Sequence, residues 1–171
     1  MRAKKCKICK EQFTPVRNLQ LVCSPKCGFE YVELQKRKQW QKRKKELKEK
    51  LLTRTDYLNL LQRAFNAYIR RRDQDRRCIS CGTYNGKMNA GHYMSVGSTP
   101  ELRFNEDNVH KQCERCNSYF SGNLVNYRRE LINRIGVERV EFLERKDHEP
   151  LKLTIDEIKE LIKKYKKCNL Y

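Results

Sequence analysis

The chain has 171 residues, with 39 Lys and Arg against 21 Asp and Glu, a formal net charge of +18 and a pI near 9.7. A chain of this length buries one modest core or two small ones, and a positive field of this size points to a polyanionic partner, nucleic acid ahead of membrane. No apolar run approaches the roughly 20 residues of a membrane-crossing helix, and the opening MRAKKCKICK lacks the apolar stretch of a secretory signal, so a cytoplasmic protein with no membrane partner is expected.

The nine cysteines sort by spacing. Eight fall into C-x-x-C or C-x-x-x-C pairs, a pattern of metal ligation in a reducing compartment rather than of disulfides, and Cys168 is left as an unpaired tail thiol. Cys6, Cys9, Cys23 and Cys27 make a first set of four, and a closed sulfur tetrahedron suits structural zinc. With Phe13, Pro15 and Val22 between them, a small zinc ribbon is expected over residues 1–28.

From Gly28 to Leu52 the sequence is rich in Gln, Lys, Glu, Arg and Leu, good helix formers, and one long helix is expected, with residues 29–54 acting as a basic helix or linker. Ten basic residues meet two acidic ones between Lys36 and Arg54, which leaves a solvated face or a DNA-contacting one open, with Lys42, Arg43, Lys44 and Lys45 as candidate contacts. Trp40 lies within that run. A second helix begins at Thr53 or Thr55, with Tyr57, Leu58, Leu61, Ala64, Phe65, Tyr68 and Ile69 at the spacing of one buried face. It ends in RRRDQDRR, where Arg70, Arg71, Arg72, Arg76 and Arg77 could meet phosphates.

The second cysteine quartet, Cys78 and Cys81 with Cys113 and Cys116, loops out thirty-one residues between its two knuckles. Inside the loop, NGKMNAGHYMSV reads as a short strand carrying His92, and a second strand runs through Val109 to Cys113. The last knuckle opens into a helix containing Asn117. Two strands and a helix pinned by zinc give a platform on which His92 and Asn117 could face each other, and a closed four-thiolate zinc leaves any chemistry to such groups. His110 reads as a strand side chain near the site and His148 as surface. Beyond the loop, Gly122 to Ile135 reads as helix stopped by Gly136 as a left-handed cap, with Arg128 and Arg129 as candidate phosphate contacts and Tyr127 as core. A short helix over Val137 to Arg145 follows, and Thr154 with Glu157 forms a capping box for a lysine-rich amphipathic helix. That helix packs either on the core of residues 55–136 or on a second copy.

The order G-H, then N-x4-C-x-x-C-N, with a C-x-x-C upstream, resembles the zinc-stapled form of the ββα-metal, or HNH, nuclease superfamily, and is similar to phage endonuclease VII. Over most of its length the chain more closely resembles the lambdoid phage NinG family, also called Rap, recombination endonucleases that act on branched DNA. The resemblance rests on the N-terminal cysteine quartet, AGHY, LRFNEDN, QCERCN and SGNLVNYRREL. It implies a mostly helical α+β protein, phage-encoded, whose ββα-metal core occupies residues 55–136 with helices over 137–171. It implies His92 as the general base, Asn108 as the residue that holds the loop and the histidine, and Asn117 as ligand to a catalytic magnesium or manganese ion, beside two structural zincs. The substrate it implies is branched DNA, and two symmetric nicks in a four-way junction lead to an expected homodimer. One position departs from endonuclease VII: Gly91 stands where that enzyme has an aspartate ligand, which leaves Glu106, Asp107 or Asn89 as possible replacements. A two-zinc DNA-binding protein without activity and an HNH nuclease of ordinary duplex DNA are the competing expectations.

Overall fold

Residues 2–168 are described in a computed structural model, and their contacts divide at Leu52 and Thr53 into two units. In the first, strands β1 (Lys4–Lys5) and β2 (Gln12–Phe13) pair antiparallel around a knuckle that carries Cys6 and Cys9, with Lys10 at φ 68 turning the chain. Helix α1 (Pro25–Lys50) starts three residues ahead of the expected Gly28. Ser24 caps it by accepting from the Cys27 N–H at 3.3 Å, and Pro25 takes the first position, where a missing N–H costs nothing. Cys27 is the residue that α1 buries, while Phe29, Val32, Trp40 and Leu47 stay exposed.

The second unit begins on α2 (Arg54–Arg72), where Thr53 and Asp56 form a reciprocal capping box. The buried face of α2 carries Tyr57, Leu61, Ala64, Phe65 and Ile69. It meets Ile158, Ile162 and Tyr165 of α5 (Ile155–Lys167), with the Phe65 and Tyr165 rings edge to face at 5.1 Å. The last helix therefore packs on this chain's own core, and its capping box at Thr154 and Glu157 is formed as the sequence predicts.

Strands β3 (Met88–His92) and β4 (Val109–Cys113) form the antiparallel hairpin, with Met88 opposite Cys113 and His92 opposite Val109. After β4 comes one π-helical turn, Arg115–Tyr119, in place of a regular helix around Asn117. Ser121, Gly122 and Asn123, all at positive φ, then turn the chain into α3 (Leu124–Ile135). Tyr127 and Leu131 of α3 share a core with Ile79, Tyr93, Leu102 and with Val140 and Leu143 of α4 (Val137–Glu144). Gly136 separates the two helices at φ 86 and ψ 158, a positive-φ extended turn and not the expected left-handed cap.

The end of α2 seals the outer edge of β4. Arg72 donates to the carbonyls of Val109 at 2.8 Å and Glu106 at 2.9 Å and pairs with Asp73, whose buried carboxylate accepts the Lys111 N–H at 3.0 Å. Across the hairpin, Gln112 lies over Gly91. Its Nε2 donates to Ser80 Oγ at 2.7 Å and to the Gly122 carbonyl, which turns Oε1 so that a Cβ on Gly91 would stand 2.1 Å from it. Gly91 has no side chain because Gln112 fills that space.

Two stability outcomes follow from these contacts. Asp73→Ala leaves Arg72 and the Lys111 N–H without their buried acceptor and should cost about 3–5 kcal/mol in denaturant unfolding. Gly91→Ala should cost about 1–3 kcal/mol by overpacking, and in combination with Gln112→Ala the loss should fall at least about 1 kcal/mol short of the sum of the single losses.

Candidate functional site

The sulfur atoms of Cys78, Cys81, Cys113 and Cys116 all lie within 4.8 Å of one another, and so do those of Cys6, Cys9, Cys23 and Cys27. Both sets fit a zinc ion on four thiolates, a closed arrangement with no position for substrate. In the central set the backbone prepares the charge: the Cys113 N–H donates to Cys78 Sγ at 3.3 Å and the Cys116 N–H to Cys113 Sγ at 3.5 Å. Burial pushes the Cys78 thiol up, but donations from the N–H groups of Cys113, Cys81 and Ser80 outweigh it and bring it down to about 7. Asn123 adds a side-chain donor to Cys116 Sγ at 3.6 Å.

Next to this clip, His92 and Asn117 line one open cleft of about 450 Å³, together with Ala90, Ser95, Ser121 and Leu124. β3 ends on His92, and the π-helical turn that leaves the second knuckle carries Asn117. His92 Nε2 lies 3.1 Å from the Arg103 carbonyl. A carbonyl only accepts, so Nε2 carries the proton and Nδ1 keeps the lone pair. Burial holds the His92 pKa below its ordinary value; the Arg103 carbonyl opposes this and the Arg103 charge adds to it, so the imidazole is neutral near pH 7.

Asn108, fully buried, ties down the loop that follows His92. Its Oδ1 accepts the Met94 N–H at 2.7 Å and its Nδ2 donates to the carbonyls of Met94 at 2.9 Å and Leu102 at 3.1 Å. Tyr127, buried in α3, donates to the Gly91 carbonyl at 2.9 Å and sits 3.5 Å from His110 Nδ1. His110 is thus inside the fold and away from the cleft, and burial, with the Arg72 charge, lowers it to about 3. Tyr127, read from the sequence as core, is buried and also holds the Gly91 carbonyl, and Gln112, the first residue of QCERCN, has a bridging role that the motif alone does not assign.

None of the carboxylates expected as replacements for residue 91 lines the cleft. Glu106 accepts from the hydroxyls of Tyr68 and Tyr165, and Asp107 is paired with Arg139. A hard cation there would meet the Asn117 amide oxygen and serine hydroxyls without a carboxylate, so water and phosphate oxygens would have to complete its shell. Among the basic candidates, Lys42, Arg43, Lys44 and Lys45 are exposed along α1, and Arg70 and Arg71 are exposed at the end of α2. Lys44 stands 4.9 Å from the Trp40 ring. Two of the candidates already have partners within the chain. Arg72 is engaged by Asp73 and two backbone carbonyls, and Arg128 forms a bidentate pair with Glu144 at 2.7 and 3.0 Å that joins α3 to α4, so neither is a free phosphate contact.

Metal analysis should return about two zinc ions per chain, from two sets of four thiolates. Cys113→Ser should lower this to about one and abolish the cooperative unfolding of the second unit, since structural zinc contributes on the order of 10 kcal/mol.

Among the described residues no helix is long and apolar enough to cross a membrane. The family described as bacteriophage lambda NinG protein matches residues 1–169. Protein ninG of Escherichia phage 933W is 41% identical over 181 aligned positions, covering 95% of this chain and 90% of the relative. The ninG proteins of Escherichia phage lambda and Salmonella phage P22 are 40% and 39% identical, each over 92% of this chain and 86% of their own length. No solved structure matches. With nearly the whole chain aligned at this identity, it belongs to the bacteriophage lambda NinG family.

Proposed function

We propose that this protein is a metal-dependent endodeoxyribonuclease of the ββα-metal kind that cuts branched DNA such as four-way junctions and displacement loops. The observation that carries the reading is the meeting of a neutral, half-buried His92 and the Asn117 amide in one cleft beside a four-thiolate clip. His92 Nδ1 takes a proton from the attacking water, while the Arg103 carbonyl fixes the ring through Nε2–H. Asn108 holds the backbone after His92, so the ring's direction does not depend on substrate. Asn117 is the residue that would hold a magnesium or manganese ion, which when bound stabilises the leaving oxygen of the phosphodiester. With one amide ligand and no carboxylate, the cation needs the DNA phosphate to complete its shell. Basic side chains of α1 and the end of α2 grip the DNA arms through phosphates, a recognition of shape and not of sequence. Paired nicks in a junction call for a homodimer.

A second reading, a two-zinc DNA-binding protein without activity, draws on the absence of any Asp or Glu from the cleft lining. Incubating wild type, His92→Ala and Asn117→Ala with four-way junctions and linear duplex, in magnesium or manganese, separates the two. Wild type should cut junctions in preference to duplex, and His92→Ala should lower the rate about 10²–10⁴-fold with binding intact. Junction binding without any cutting would leave the second reading standing, and equal cutting of duplex would remove the branched substrate. The rate should fall as the pH drops through a His92 pKa held below its ordinary value, because protonation removes the base.

A further inference from the structure

A second cleft, of about 490 Å³, lies on the other side of α3 from His92. Gly122 and Leu124 border the first cleft; Asn126, Arg129, Glu130 and Arg134 border the second. At 3.6 residues per turn, positions 126, 129, 130 and 134 share one helix face, and 124 points away from it. Ser80 and Arg77, on the chain entering the first zinc knuckle, form the facing wall.

The charge in this cleft is poorly balanced. Arg134 has a side chain only 9% exposed; its Nε donates to Glu130 Oε1 at 3.1 Å and its Nη2 to the Arg77 carbonyl at 3.4 Å, but its buried Nη1 has no partner. Arg77 is held by stacking, its guanidinium 5.0 Å from the Tyr84 ring centroid, and neither Arg77 nor Arg129 has a carboxylate partner among the described residues. Glu130 is the one carboxylate in the lining, and the thiolates of Cys78 and Cys81 stand at the wall. Arg77, Arg129 and Arg134 line this one cleft, and a planar guanidinium fork matches phosphate oxygens.

We propose that this cleft is a phosphodiester-binding site in which Arg77 and Arg129 grasp the DNA backbone, with Arg134 supplying charge beneath them, apart from the cleft where cutting occurs. The proposal rests on the DNA-directed reading above but not on the cleavage chemistry. It places a backbone anchor on one face of α3 and the reacting phosphate on the other, so that one rigid helix sets the distance between them.

The test is DNA binding by the zinc-loaded full chain over a range of salt, without magnesium, for wild type, Arg129→Ala and the Arg77→Ala/Arg129→Ala double variant. The double variant should bind at least about tenfold more weakly, and its plot of log affinity against log salt should be shallower by about two, with a change of about one for Arg129→Ala alone. Zinc content should stay at that of wild type. Unchanged affinity and salt slope would overturn the site. So would weaker binding by the exposed Arg129→Ala variant that tracks loss of zinc, which would assign the arginines to balancing the thiolates. If wild type binds but never cuts, the nuclease reading fails while the salt slopes still decide this one.

Discussion

The four sulfurs of Cys78, Cys81, Cys113 and Cys116 are the contact on which the second unit turns. A two-stranded hairpin of five residues per strand is marginal in water by itself. Here its two ends are gathered by the clip, since Cys113 closes β4 and pairs across to Met88. A metal on these thiolates cross-links segments far apart in the chain, and its binding free energy becomes folding free energy. The donors that lower the Cys78 thiol come from the same knuckles, so backbone geometry and thiolate charge support each other.

From the clip, order passes to the cleft through a few buried polar contacts. Gln112 links Ser80 in the first knuckle to Gly122 at the cleft wall, and by lying over Gly91 it excludes any side chain there. A side chain at residue 91 is therefore excluded by packing against Gln112. On the nuclease reading, a cation in this cleft would rely on Asn117 and on the phosphate itself.

Much of this arrangement was legible in the sequence where local chemistry decides it. The cysteine spacing gives both sulfur quartets, the capping box at Thr154 and Glu157 starts α5, and the register of β4 from Val109 to Cys113 follows from the knuckle that ends it. Long-range partners were not legible. Arg72 and Arg128 read as surface cations because both lie in basic runs, and only the tertiary fold brings Asp73, the β4 carbonyls and Glu144 to them. Gly136 was legible as a stop but not as an extended turn, because glycine permits both conformations and the packing of α4 chooses between them. The π-helical turn at Asn117 likewise depends on how the second knuckle bends toward the sulfur cluster, which spacing alone does not fix.

Charge links recognition to chemistry. The chain carries a net charge of +18, and at His92 burial together with the Arg103 charge disfavours a proton. The free protein thus keeps the imidazole neutral without a carboxylate partner, and Arg103 both orients the ring through its carbonyl and opposes protonation through its charge. On the nuclease reading, phosphates beside Arg103 would relieve only the charge part of this effect, and the burial that chiefly lowers the His92 pKa would remain.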